Sequence, residues 1–222
     1  MSGMNFAQMS QLLLEGTLDT LYMTLASMLI AYLIGIPLGV ILVVTRKDGI
    51  CPAPKTNAVL GTIVNIMRSV PFLILIIVLI PFTRFVVGTS IGATATVVPL
   101  IVGAAPFIAR MVESSLLEVD AGVVEAAQAM GASPWQIVTK VLLKEAVPSL
   151  ITGAAIALTT ILGYSAMAGA VGGGGLGDLA IKYGYHRYQT DVLLLTLVIL
   201  IALVQIIQAL GNGLAKKIDH RK

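Results

Sequence analysis

Long runs without a charged residue alternate along this chain with short polar connectors. A run over residues 56–83 is interrupted only by Arg68. The other runs contain no Asp, Glu, Lys or Arg, and they cover residues 20–45, 85–109, 146–177 and 192–215. Because a helix rises about 1.5 Å per residue, about 20 apolar residues are enough to cross the hydrocarbon core of a bilayer. The pattern predicts five membrane-spanning helices, near residues 20–44, 59–82, 87–109, 149–171 and 192–214.

The composition indicates the same class of protein. Of the 222 residues, 57% are hydrophobic and 11% are charged, which is roughly half the charged fraction of a soluble domain. The net charge of +3 is too small to indicate nucleic-acid binding, and the single cysteine, Cys51, has no partner for an internal disulfide. We therefore expect an all-α polytopic protein of the cell (inner) membrane, in which residues 1–222 form a single transmembrane domain.

The basic residues indicate the orientation, because positive side chains in short connectors stay in the cytoplasm. One set of alternate connectors holds ten basic residues in total, and the opposite set holds three. The three lie outside in this prediction and are Arg84, Lys182 and Arg187, whereas the ten lie inside and are Arg46, Lys47, Lys55, Arg110, Lys140, Lys144, Lys216, Lys217, Arg221 and Lys222. We expect the N-terminus outside, the C-terminus in the cytoplasm and residues 110–148 in the cytoplasm. Because the first basic residue follows the first span, we expect no cleaved signal peptide.

The first predicted span contains a G-x-x-x-G spacing, formed by Gly35 and Gly39 on either side of Pro37. Small residues four positions apart allow two helices to approach closely. The spacing alone is compatible with packing inside the chain and with a contact between two chains. Pro71 and Pro81 in the second span free backbone carbonyl groups and favour a bent helix there.

Residues 110–148 are the least apolar stretch of the chain and hold five of its eleven acidic residues. A helix is expected to end at Gly131, which suits the left-handed C-terminal position, and a second helix is expected at once. Residues 133–136 read Ser-Pro-Trp-Gln, a Ser-x-x-Gln capping box with proline in the first turn. Two short helices joined by a tight bend are either a docking surface or a plain connector. Apolar residues recur at helical spacing in the first helix, at Val123, Ala127 and Met130.

This segment resembles the EAA motif of ABC-importer permease subunits. Glu125-Ala126-Ala127 is followed after three residues by Gly131, as in that motif. Other stretches resemble the methionine-importer branch of the family, and the resemblance covers nearly the whole chain from about residue 15. These stretches are Arg68-Ser69-Val70-Pro71-Phe72, Gly103-Ala104-Ala105-Pro106-Phe107-Ile108-Ala109-Arg110 and Gly163-Tyr164-Ser165-Ala166-Met167.

The resemblance implies a type I ABC-importer permease fold and a translocating subunit that is not itself an enzyme. The implied substrate is methionine, including D-methionine or related amino acids. The implied partners are a second copy of the chain, two copies of an ABC ATPase subunit and an extracytoplasmic substrate-binding protein. ATP and Mg²⁺ are expected on the ATPase and no cofactor on this chain, which lacks a G-x-x-x-x-G-K-[ST] phosphate loop. The residues implied in ATPase coupling are Glu125, Ala126, Ala127, Met130 and Gly131.

Four residues inside the predicted spans are candidates for the substrate path. Arg68 is the only charge within a span, and a membrane charge is costly unless it is paired or hydrated. It either meets a substrate carboxylate, bonds to carbonyl groups freed by Pro71, or reaches toward the cytoplasmic interface. Tyr164, Ser165 and Met167 offer polar and soft groups for a thioether amino acid, with core packing as the alternative.

Two other sequence signals are discounted. Gly172, Gly174 and Gly177 match G-x-G-x-x-G, but a dinucleotide site needs a preceding strand, so we expect a flexible or tightly turned loop. His186 and His220 fall on opposite sides of the membrane in the predicted topology, so no shared metal site is expected. No catalytic Ser/His/Asp or Cys/His arrangement can be assembled either.

Two other functions are open at this stage. A stand-alone secondary transporter commonly uses intramembrane acids, and no Asp or Glu lies within the predicted spans. A non-transporting membrane scaffold would use the two short helices and the bend within residues 110–148, here named the helix–bend–helix segment, as an assembly surface. At the end of the third span, Arg110 and Glu113 lie three residues apart and are expected to form a surface ion pair.

Overall fold

The computed structural model describes residues 5–218, and every regular element within that range is helical. Three residues used in the sequence analysis, His220, Arg221 and Lys222, lie outside the described range. Two π-helical turns, Ile137–Leu142 and Ala180–Tyr185, and a 3₁₀ turn, Gly169–Val171, connect some of the α-helices. The α-helices are α1 (Phe6–Val44), α2 (Pro54–Ser69), α3 (Phe72–Val78), α4 (Ile80–Val87), α5 (Ala93–Leu117), α6 (Ala121–Ala129), α7 (Pro134–Gln136), α8 (Leu143–Glu145), α9 (Val147–Ala168), α10 (Gly175–Leu179) and α11 (Thr190–Ile218).

Four helical stretches within residues 5–218 are long and apolar enough to cross a membrane. They contain the predicted spans 20–44, 149–171 and 192–214, whereas the predicted span 87–109 is part of such a stretch only from Ala93 onward. Residues 88–92 connect α4 to α5, and Gly88 and Gly92 at the two ends of this connector have positive φ angles that interrupt the helix. α1 and α5 extend furthest beyond the predicted bounds, since α1 begins at Phe6 and α5 continues to Leu117. Residues 110–117 therefore form the last two turns of α5, and the separate helices of the polar segment begin after Leu117. Hydropathy marks where contact with lipid is expected to end, whereas a helix continues wherever its residues have adequate helix propensity.

The predicted continuous helix over residues 59–82 is broken in the structure. α2 ends at Ser69, α3 begins at Phe72, and the two helix axes are bent by 98°. Pro71, with a ψ of 131°, lies outside the helical conformation. Its ring also disfavours a helical conformation at Val70, and it has no N–H to continue the helix. If the bent pair is one span, residues 5–218 contain up to five spans, which is the number predicted.

The chain forms two compact units, and the long helices α1, α5, α9 and α11 contribute to both. The first unit contains α1 up to Ile30, together with Val70–Ala104 and Leu158–Gln208. The second unit contains Ala31–Ser69, Ala105–Ala157 and α11 from Ala209 onward. The helix–bend–helix segment therefore belongs to the second unit.

Small polar side chains of α1 are buried in the first unit. Thr20 Oγ1 donates to the carbonyl oxygen of Gly16 at 2.8 Å and accepts a hydrogen bond from the N–H of Leu176 at 2.9 Å. A hydroxyl that bonds to its own helix can be buried among apolar groups at little cost. Contact with Leu176 also fixes α10 against α1. The residues of α1 that are at most 1% exposed here are Thr20, Met23, Thr24 and Ser27.

The glycine-rich sequence after α9 forms a tight turn, which is one of the two forms that the sequence allowed. Gly172 and Gly174 have φ angles of 79° and 80°, which side-chain-bearing residues rarely adopt. The N–H of Gly92 donates to the carbonyl oxygen of Gly172 at 2.9 Å, and Thr96 Oγ1 donates to that of Gly173 at 3.0 Å. Within the described residues no strand precedes this turn, so it lacks the architecture of a dinucleotide site.

Asp178 is a buried acid just beyond this turn. It is 7% exposed, and its Oδ2 forms an ion pair of 2.6 Å with Nζ of the half-exposed Lys182. Its Oδ1 has no hydrogen-bond partner within the described residues. The predicted fourth span ended at residue 171, whereas the apolar helical stretch continues to Tyr185. Within that stretch, Asp178 lies in α10, which follows the glycine-rich turn and packs closely on α9.

Replacing Lys182 with Met is expected to destabilise the chain by about 2 kcal/mol, because it leaves the Asp178 carboxylate buried without a cation. The double replacement of Asp178 with Asn and Lys182 with Met should cost less than the single one, because no charge is then buried. Thermal midpoints in mild detergent measure both. Equal midpoints for the single and double variants would show that the ion pair is unimportant.

The G-x-x-x-G pair packs inside the second unit. A Cβ atom at Gly35 would lie 2.5 Å from Cγ2 of Ile108, and one at Gly39 would lie 2.7 Å from the carbonyl oxygen of Ala109. Both neighbours belong to α5, so the two glycines allow α1 and α5 to approach closely. Of the two interpretations that the sequence left open, the structure therefore shows packing inside the chain.

Candidate functional site

The first helix of the helix–bend–helix segment, α6, ends as the sequence predicts. Gly131 has a φ of 79°, and its N–H donates to the carbonyl oxygen of Gln128 at 2.9 Å. The N–H of Ala132 donates to the carbonyl oxygen of Ala127 at 3.1 Å. These two bonds form a Schellman motif, which satisfies carbonyl groups at the end of a helix. The bend is therefore fixed by the backbone of the segment itself.

Both helix starts in the segment are capped by side chains. Ser133 and Gln136 form the predicted capping box, with Gln136 Oε1 accepting from the N–H of Ser133 at 2.8 Å and Ser133 Oγ accepting from the N–H of Gln136 at 3.4 Å. α6 has a cap that was not predicted, since Asp120 Oδ1 accepts from the N–H of Gly122 at 2.8 Å. An Asp immediately before a helical stretch is the sequence signal for that cap.

The residues implied in coupling do not all lie on one face of α6. Glu125, Ala126 and Ala129 are exposed, and Met130 is 81% exposed. Ala127, by contrast, is only 5% exposed. Ala127 therefore supports α6 from within the second unit, while exposed Ala126 and Ala129 add little side-chain bulk to the open surface of this helix.

The second helix after the bend is anchored by its apolar residues. Ile137, Val138 and Leu142 are 1%, 8% and 4% exposed, and they lie in the π-helical turn Ile137–Leu142. Trp135, by contrast, is 75% exposed. Sequence reasoning missed this residue, although exposed tryptophan is enriched at protein interfaces. The bend thus presents two large apolar side chains, Met130 and Trp135, outside the core.

Arg68 lies in the last turn of α2 and is exposed. Within the described residues it forms no hydrogen bond or ion pair, so the expected bond to carbonyl groups freed by Pro71 is not formed there. A cation in the last turn of a helix is favoured by the helix dipole. A role in the substrate path and a position near the membrane interface both stay predictions.

The other three path candidates lie on α9, in the first unit. Tyr164 stacks on Phe72 of α3, with ring centroids 4.5 Å apart and ring planes 3° apart. Ser165 is 1% exposed, and its Oγ donates to the carbonyl oxygen of Leu162 at 2.7 Å. Met167 is 51% exposed. In this conformation the hydroxyl group of Ser165 is therefore unavailable to a ligand, whereas Met167 is accessible.

Arg110 forms the predicted ion pair with Glu113, with 2.6 Å between Nη1 and Oε2. The two side chains are only 24% and 15% exposed, so this is not the surface contact that spacing suggested. Arg110 Nη2 also donates to the carbonyl oxygen of Gly61 and to Asn65 Oδ1, each at 2.9 Å. The two partners on α2 are too distant in sequence for helical spacing to predict. Asn65, a polar residue within an apolar run, was the available signal.

Metal ligands do not cluster in the part of the chain that the structure describes. No group of three or more His, Cys, Asp and Glu residues within it is placed to bind a metal ion. His186 is exposed and packs edge-on against Tyr185, with 5.3 Å between ring centroids, and Cys51 is exposed as a free thiol.

These features define a multi-pass membrane protein with a preformed, exposed helix–bend–helix segment. The chain belongs to the family described as binding-protein-dependent transport system inner membrane components, whose sequence pattern matches residues 35–222. It is therefore an inner-membrane permease component of a transport system that includes other proteins. The stand-alone secondary transporter and the non-transporting scaffold, both open from the sequence, are wrong.

Individual relatives agree with this membership. The chain is 55% identical over 216 residues to a probable D-methionine transport system permease protein of Vibrio cholerae, covering 97% of this chain and 96% of that protein. It is 55% identical over 161 residues to the D-methionine transport system permease protein of Escherichia coli K12, covering 72% and 74% of the two chains.

Solved structures show the same fold. A chain from inward-facing conformations of the MetNI methionine ABC transporter matches with a TM-score of 0.95 and 50% sequence identity, covering 99% of this chain and 100% of that chain. A chain from an amino acid ABC transporter crystallised with histidines matches with a TM-score of 0.78 at 19% identity, covering 97% and 100%. The fold is therefore that of an ABC-importer permease, as the resemblance implied.

Proposed function

We propose that this chain is the membrane-spanning subunit of an ATP-driven importer of methionine, including D-methionine or related amino acids. The observation that carries the proposal is the helix–bend–helix segment, which is capped at both helix starts and presents exposed Ala126, Met130 and Trp135. An open, preformed surface of this kind suits a partner that pushes or pulls on it. The methionine-related names of the relatives and of the MetNI structure support the substrate.

The chain acts in this proposal as a translocating subunit and not as an enzyme. ATP and Mg²⁺ bind to a separate ATPase, which docks on Glu125, Ala126, Met130 and Gly131, with Ala127 supporting them from within. Two copies of the chain associate with two ATPase subunits, and an extracytoplasmic substrate-binding protein delivers the amino acid. The N-terminus lies outside and the C-terminus in the cytoplasm, as the distribution of basic residues favours.

Binding and hydrolysis of ATP on the partner change the position of the docked segment. The permease then alternates between conformations that open to opposite sides of the membrane, each stabilised by a different state of the partner. Met167 is the candidate contact for the thioether of the substrate, since sulfur and aliphatic carbon pack well together. Arg68 is the candidate contact for the substrate carboxylate.

Proteoliposomes that contain the chain, its ATPase and the substrate-binding protein test this proposal. Labelled methionine should accumulate only when ATP, the ATPase and the binding protein are all present. Excess unlabelled L- or D-methionine should reduce this uptake. The enantiomer that competes at the lower concentration is the preferred substrate. Uptake by the chain alone would refute ATP coupling. ATP-dependent uptake of another solute with no competition by methionine would refute the substrate.

A further inference from the structure

Arg110 joins two helices of the second unit through charged and polar contacts. Its guanidinium group pairs with Glu113 on its own helix, α5, and bonds to the Gly61 carbonyl oxygen and the Asn65 side chain on α2. A cation that only reached toward the membrane interface would instead expose its head group to water. The Arg110 side chain is 24% exposed, and its Nε is buried without a partner within the described residues. The group is therefore held in place by α2 and not by water.

α2 has few other attachments in this unit. Of its residues only Val64 is buried, so apolar packing contributes little to holding it. Near its first turn, Asn57 Nδ2 donates to the carbonyl oxygen of Leu42 at 2.6 Å. Farther along α2, the Arg110 contacts with Gly61 and Asn65 hold it against α5. Polar contacts at two points therefore fix the position of this helix.

Of the two helices joined by Arg110, α5 leads to the helix–bend–helix segment and α2 leads to the broken span. α5 ends at Leu117, and only three residues, 118–120, separate it from α6, which begins the helix–bend–helix segment. α2 ends at Ser69, next to the break at Val70 and Pro71. A displacement of α6 thus reaches α5 directly, and it reaches α2 wherever α2 and α5 move as one body.

We propose that Arg110 is a positioning residue that makes α2 move together with α5, so that movement of the docked segment reaches the broken span. Charge-assisted hydrogen bonds from a planar guanidinium group fix both distance and direction, which a single point charge does not. This inference rests on the proposed function, because it assumes that the ATPase moves α6. It assigns the polar contact between Arg110 and α2 to coupling and not only to stability.

Replacement of Arg110 by Gln tests the inference in the reconstituted complex with ATPase and binding protein. The variant should still co-purify with the ATPase and hydrolyse ATP, because the docking surface is unchanged. The ATP hydrolysed per methionine imported should rise about tenfold, which corresponds to about 1.4 kcal/mol of lost coupling. Asn65→Ala, which removes only one bond to α2, should shift this ratio in the same direction by less. Arg110→Lys should recover part of the coupling.

Arg46→Gln is the matched control, since Arg46 also lies in the second unit and pairs with Asp48 at 3.4 Å on an exposed surface. Its ratio should equal that of the unchanged protein. An unchanged ratio in Arg110→Gln would overturn the inference, and so would a proportional fall of uptake and ATP hydrolysis. If the Arg110→Gln complex does not assemble, Asn65→Ala provides the test. A raised ratio of ATP hydrolysed to methionine imported in that variant supports the inference, and an unchanged ratio overturns it. Absence of ATP-dependent methionine uptake by the unchanged complex would instead refute the proposed function.

Discussion

Replacing Ala126 with Glu is expected to abolish the association of this chain with its ATPase while leaving its own fold intact. Ala126 is exposed in the middle of α6, where glutamate is a good helix former. In a docked complex, the new carboxylate would replace a small side chain and be buried without a partner. Such a charge costs about 3 kcal/mol or more, which weakens binding by at least about 100-fold.

Co-purification of the ATPase with a tagged chain in mild detergent measures this effect. Lys47→Glu is the matched control. Lys47 is exposed and lies on the cytoplasmic side in the predicted topology, as α6 does, but it lies outside the helix–bend–helix segment. The substitution changes the charge by two units instead of one, yet it should leave co-purification unchanged. Retention of the ATPase by Ala126→Glu at the normal level would remove α6 from the docking role.

The neighbouring residue, Ala127, shows why burial decides the design of this experiment. The motif presents Ala126 and Ala127 as equivalent, but Ala127 is 5% exposed. A glutamate at position 127 would be buried inside the second unit and would destabilise the chain itself. Loss of the ATPase from an Ala127 variant would therefore not separate docking from folding. The distinction depends on which face of α6 packs on the chain, and residue spacing alone leaves that face undefined.

Features that depend on a few neighbouring residues were predictable. The end of α6 at Gly131 and the capping box of Ser133 and Gln136 are both confirmed, because each is formed by bonds within five residues. The apolar runs also located the membrane-spanning helices, since the bilayer sets a minimum length for each. Helix angle was not predictable in this way. Hydropathy over residues 59–82 carries no information on the bend that Pro71 introduces between α2 and α3.

Contacts between residues distant in sequence account for most of what was missed. Helical spacing predicted that Arg110 pairs with Glu113, but not that Gly61 and Asn65 complete its surroundings. In the same way, the burial of Ser165 is a property of its neighbours and not of its own sequence position. The glycine-rich turn is similar, because composition alone allowed either a flexible loop or a tight one. Its tightness comes from contacts with α1, α5 and α9.

Replacing Gly177 with Ala is expected to destabilise the chain by about 3 kcal/mol and to lower its thermal midpoint by about 10 °C. A Cβ atom at this position would overlap the carbonyl oxygen of Ala166 and lie 2.6 Å from the Ala166 Cα atom. Because these are backbone atoms of α9, no rotation of a side chain can relieve the overlap. α10 would have to move away from α9, which would disturb the buried residues Leu176 and Asp178. Size-exclusion profiles after heating in mild detergent give the midpoint.

Gly213→Ala is the matched control, because it introduces the same methyl group into a helix where nothing lies within 4 Å of the new Cβ atom. There, alanine should be neutral or stabilise α11 by up to about 1 kcal/mol, since glycine loses more conformational freedom on folding. The two substitutions therefore have opposite expected signs although their chemistry is identical. A thermal midpoint of Gly177→Ala equal to that of Gly213→Ala would mean that α10 does not pack closely on α9. The glycine-rich stretch would then be the flexible loop that its composition equally allowed.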